Sequence, residues 1–158
     1  MRRALSIILL TTWALWFGGM IALLIFVTQL FRGPRAIAVE AAPVLFRTFA
    51  LYQLITGGIA CAWGTLLALS SRRSVHAILT LFMLAALGAA LLIRSWTFQM
   101  EAIRAAGESA GPQFKALHVK SSVAYTSAAA LLLVAGIGWI ITMPSVSPTR
   151  TSEETARA

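Results

Sequence analysis

The chain has 158 residues, 59% of them hydrophobic and 11% charged, with thirteen Lys and Arg, five Glu and no Asp. A mean hydropathy of +0.83 excludes a soluble domain of this size, whose surface needs a far more polar mixture. The net charge of +8 does not point to nucleic acid. Its carriers, Arg2 and Arg3, Arg32 and Arg35, Arg72 and Arg73, Lys115 and Lys120, sit at the ends of apolar stretches or in short connections, where they meet lipid headgroups.

Four apolar stretches, about residues 5–30, 44–69, 75–96 and 116–142, are each long enough to cross a hydrocarbon layer roughly 30 Å thick as a helix. Lipid offers no partner to a backbone N–H or C=O, so such runs satisfy their own hydrogen bonds as helices. The expected fold is an all-α integral membrane four-helix bundle of antiparallel up-down hairpins, spanning residues 1–143, with a disordered tail over 144–158.

Met1-Arg2-Arg3 followed by an apolar run is how a secretory signal begins, but this run extends to about Leu30, well past the roughly 7–15 residues of a signal core. The segment reads as an uncleaved first helix. After it, Gly33 caps and Pro34 opens a short helix, and Pro43 starts the second span. The tight connection Ser70 to Ser74 makes spans two and three a hairpin.

In the third stretch, helical apolar spacing continues past Arg94 through Trp96, Met100 and Ile103, so this helix projects from the membrane and stops near Gly107. Residues 107–112 form the turn into span four. Orientation is balanced: Arg2, Arg3, Arg72 and Arg73 share a side with the tail arginines, against Arg32, Arg35, Arg47, Arg94, Arg104, Lys115 and Lys120 on the other. The arginines flanking the first helix place the termini in the cytoplasm, of a bacterial inner membrane if the source is bacterial. Small residues mark close packing at Gly18, Gly19, Gly57 and Gly58.

Polar side chains concentrate on the side opposite the termini. On span four, His118, Ser121, Ser122 and Tyr125 follow i, i+3, i+4, i+7 spacing and form one stripe. Span two contributes Thr48, Tyr52, Gln53 and Thr56 at comparable depth, and span three contributes Arg94. The expected arrangement is a polar vestibule open to one face, with a mostly apolar floor. Its candidate lining is His118, Ser121, Ser122, Tyr125, Tyr52, Gln53 and Arg94. Interfacial anchoring and i−4 back-bonding are the plainer explanations for Thr28, Thr48, Arg94 and Trp96.

Phe114-x-x-x-His118-x-x-Ser121-Ser122 at the start of the last span resembles the corresponding motif of the TMEM205-like family, also called the DUF4149 domain family. Trp13-Ala14-Leu15-Trp16-Phe17-Gly18-Gly19 and Phe31 in span one, and the charged extension of helix three ending near Arg104, extend the likeness to about residues 8–140. The resemblance implies a four-helix fold and no defined reaction. It departs at Tyr125, where the family often has Asn, and near Arg94, where it often has Pro.

Catalysis is not expected: the spans contain no Asp, the five Glu lie in connections or the tail, and neither histidine has a carboxylate near it in sequence. No cofactor and no metal site are expected either. His76 opens span three and His118 opens span four, so antiparallel helices set them at opposite membrane faces, roughly 30 Å apart. The lone Cys61 can form no internal disulfide and no cysteine cage. What remains is a non-enzymatic binding or accessory subunit whose partners are membrane lipid, other membrane subunits or a second copy, and not nucleic acid. The alternative is a small-solute or metal transporter or channel formed by a homo-oligomer.

Overall fold

A computed structural model of the chain describes residues 2–71, 73–108 and 111–142, without the side chains of Arg2, Arg3 and Arg35. The tail over 144–158 lies outside the described residues. Four α-helices account for nearly everything else: α1 (Arg2–Leu30), α2 (Arg35–Ser71), α3 (Ser74–Ala105) and α4 (Pro112–Thr142). All four are long and apolar enough to cross a membrane, making this an integral membrane four-helix bundle.

Each helix packs on its chain neighbour, and α1 meets α4 to close the ring. The pairing is antiparallel throughout. Leu9 and Trp16 of α1 approach Gly64 and Gly57 of α2, His76 at the start of α3 stacks on Trp139 near the end of α4, and Arg104 at the end of α3 covers Phe114 at the start of α4. The start of α3 therefore lies beside the end of α4, where Arg73 donates to the Thr142 carbonyl.

One helix boundary differs markedly from the sequence expectation. Pro43 does not start a helix; α2 begins at Arg35 and carries Pro43 in its interior. The missing N–H deprives the Val39 carbonyl of its usual donor. At about 1.5 Å per residue, the 37 residues of α2 are longer by nearly half its length than the hydrocarbon layer, so this turn lies beyond the hydrocarbon, where water can replace the donor. The same finding places Glu40 inside α2, and Glu101 lies in the extension of α3, which runs to Ala105 as the sequence spacing implied.

The ends have defined chemistry. Helix α3 stops in a Schellman turn: Gly107 takes φ +81°, while the Glu108 and Gly107 amides bond the carbonyls of Ile103 and Arg104. Glycine is suited to that left-handed position because it has no Cβ to clash. Helix α4 opens on Pro112, whose absent N–H would have had no intrahelical partner.

The bundle buries rings and small residues and exposes branched aliphatics. Trp16, Met20, Met83, Leu132 and Trp139 fill its axis among Ala60, Ala86, Ala128 and Ala135. Ile25, Leu51, Leu91 and Ile141 are among the many large apolar side chains facing outward. Only 22–33% of each apolar span is buried inside the bundle, so most of every helix surface is left for lipid.

Glycine serves this packing in a particular way. Gly136 receives the Trp13 ring, Gly57 the Trp16 ring and Gly19 the Tyr52 ring, each position where a Cβ would collide with the aromatic. At Gly19 and Gly57 the neighbour is a ring rather than a backbone. Gly18 and Gly58 have open space where a side chain would stand.

Candidate functional site

The polar residues of the expected vestibule are distributed among different helix seams. Tyr52 crosses from α2 to α1, where its hydroxyl donates to the Leu15 carbonyl at 2.6 Å. Tyr125 crosses from α4 to α1 and donates to the Met20 carbonyl. Both phenols are thereby committed to holding helices together, since a carbonyl already used within a helix keeps a second lone pair for such a donor. Gln53 is buried in the bundle.

The span-four stripe divides. Ser121 and Tyr125 are half-buried, whereas His118 and Ser122 are exposed. The His118 ring stacks on Phe114 one turn earlier, and the Ser122 hydroxyl bonds back to the His118 carbonyl. A run from i to i+7 covers an arc wide enough to straddle the boundary between bundle and lipid faces, and here the boundary falls inside it. His118 and Ser122 thus do not face the interior as expected. The Ser122 bond shows how a hydroxyl on the outer face meets its need locally. His76 and His118 lie near opposite ends of the bundle, beside Trp139 and Phe114 respectively.

Arg94 belongs to a different constellation. A cavity of about 360 Å³ opens between α2 and α3 on the side opposite the termini, lined by Arg47, Thr48, Leu51, Arg94, Phe98 and Glu101 among others. Phe98 is the platform: the Arg94 and Arg47 guanidinium carbons lie 5.6 Å and 5.9 Å from its ring centroid, within the range of attraction between a cation and the negative face of a ring. Arg47 also pairs with the Glu101 carboxylate at 2.6 Å. That is the only salt bridge among the described residues, and Arg94 has no carboxylate partner there.

Two guanidiniums thus face one carboxylate, and the cavity carries an excess positive charge. The Glu101 side chain is 20% exposed and Arg47 65% exposed, so the pair contributes on the order of 0.5 kcal/mol and does not by itself account for the arrangement. The Thr97 hydroxyl is spent on the Ile93 carbonyl. Chemically, the site offers a monodentate or forked cation donor above an apolar wall, suited to an oxyanion.

Of these residues, the sequence reading named Arg94 and Thr48 and passed over Phe98, Glu101 and the pairing role of Arg47. A signal existed: Arg94, Phe98 and Glu101 follow i, i+4, i+7 spacing and share a helix face. Treating Glu101 as part of a solvated extension concealed it. No family model, curated protein or solved structure matches this chain.

Proposed function

We propose that this protein is a non-catalytic membrane-embedded binding or accessory subunit, and that the α2–α3 cavity on the side opposite the termini is where it binds. One observation carries the reading: Arg94, unpaired by any carboxylate among the described residues, lines a cavity whose other charges already form an ion pair. A guanidinium at a membrane boundary that has no fixed counter-charge is a receptor for a mobile one. The TMEM205-like resemblance adds a four-helix plan and no reaction.

Transport by a homo-oligomer is the second reading, supported by Gly18 and Gly58, whose open surroundings leave room for a further helix. Because rings and thioethers fill the axis of a single bundle, a conduit requires several copies. Native mass spectrometry of protein purified in mild detergent tests both: a co-purifying anionic ligand lost in Arg94→Gln supports the binding subunit, and a ring-sized oligomer without such a ligand supports transport.

A further inference from the structure

We infer that the α2–α3 cavity holds the phosphodiester of a glycerophospholipid, with Arg94 as its principal contact and the acyl chains lying along the outer face of α2 and α3. This inference rests on the binding reading above and names the ligand class.

Depth is the first argument. Arg94 lies twenty residues along α3 from Ser74, about 30 Å of helix, which is one hydrocarbon thickness. Since Ser74 and the polar turn before it mark one membrane boundary, Arg94 stands at the other, where lipid phosphates reside. A free solute would be met further out, at the level of Glu101.

The walls supply the second. Leu51, Arg94 and Phe98 line the cavity, and the exposed Ile55 on α2 and Leu91 on α3 lie one turn deeper than Leu51 and Arg94 respectively. The charged end of the cavity thus continues into an apolar surface running toward the membrane interior. A ligand matched to both has an anionic head and a long apolar body.

Charge order is the third. Moving outward from Arg94, the next charges on this face are the mutually compensated Arg47 and Glu101, so one net positive charge remains, at phosphate depth. A single diester phosphate neutralises it. Phe98, flanked by both guanidiniums, holds them by its ring face and does not compete for the anion.

Native mass spectrometry of the full chain, with phosphatidylglycerol, diacylglycerol of the same acyl chains, or sn-glycerol 3-phosphate added in turn, tests the inference. Wild type should retain phosphatidylglycerol and not diacylglycerol. Arg94→Gln should bind the phospholipid about tenfold more weakly, the loss of one charge-assisted hydrogen bond, while Arg104→Gln, on the same membrane side but outside the cavity, should bind as wild type. Arg94 is exposed, and an unchanged melting temperature would confirm that the variant is folded. Equal retention of diacylglycerol, or equal losses in the Arg94 and Arg104 variants, overturns the inference. Glycerol phosphate retained as strongly as the phospholipid, and lost in Arg94→Gln, overturns the lipid assignment and leaves the binding reading standing. If no phosphate-bearing species is retained, both fall.

Discussion

The imidazole of His76 and the indole of Trp139 stack with centroids 4.6 Å apart and planes 24° from parallel, fastening the first turn of α3 to the last turns of α4. The His76 Nδ1 lies 2.6 Å from the Ser71 hydroxyl, so the same ring also ties α3 to the end of α2. Trp139 is fully buried. Trp139→Ala should therefore cost about 3–5 kcal/mol, the usual range for emptying a buried aromatic site, and Trp139→Phe much less. Reversible unfolding in mixed micelles measures both, and equal losses would show that the aromatic ring at position 139 is not what packs there.

Glycine substitutions should separate by location. Gly136→Ala places a methyl group against the Trp13 ring and should destabilise by about 1–3 kcal/mol through overpacking. Gly18→Ala meets open space and should stabilise by roughly 0.5–1 kcal/mol, because alanine loses less backbone entropy in a helix. Thermal unfolding of the two variants checks the sign of each, and the two signs should be opposite.

Removing the phenol hydroxyls should have small, similar effects. Tyr52→Phe and Tyr125→Phe each delete one donor to an α1 carbonyl, at about 0.6 kcal/mol apiece, as for other interhelical hydrogen bonds in membranes. A double variant measured by the same unfolding assay should approach the sum, since the bonds lie at opposite seams of α1.

Cysteines introduced along α4 should report the division of the polar stripe. A reagent partitioned into the membrane should label positions 118 and 122 readily and position 121 poorly, following their exposure. Protection of 118 and 122 to the level of 121 would mean that another surface covers them.

Reporter fusions at Arg73 and Gly111 should give opposite signals. The two positions terminate opposite ends of the α3–α4 hairpin, and matching signals would contradict four spans.

Helix number and antiparallel order were legible in the sequence because lipid imposes one solution on apolar runs of this length; the length of α2 was not, since it runs on past Pro43 to Arg35. Of the residues expected to line the vestibule, only Arg94 lines the α2–α3 cavity, while Tyr52 and Tyr125 lie on other seams. Side-chain direction was less accessible. His118 and Tyr125 share a stripe in sequence yet fall on either side of a lipid boundary, since helices apolar all round carry no amphipathic mark to fix their rotation. The use of Tyr52 and Tyr125 as donors to Leu15 and Met20 was hidden for another reason: their acceptors are main-chain carbonyls, which no residue type announces. Pro43 reads as a helix start because proline suits a first turn, yet it is tolerated inside α2 where the freed Val39 carbonyl can be hydrated.

The α1–α4 seam is closed by reaching side chains: Trp13 donates to the Leu132 carbonyl at 2.8 Å, and Tyr125 returns to Met20. These partners are separated by 119 and 105 residues, so α1 leaves the ribosome long before α4. During synthesis, the Trp13 N–H and the Met20 carbonyl edge of α1 stay on an open flank until α4 arrives. A nascent chain halted after α3 therefore presents an incomplete bundle with a defined docking edge, and a separately supplied α4 should be able to complete it.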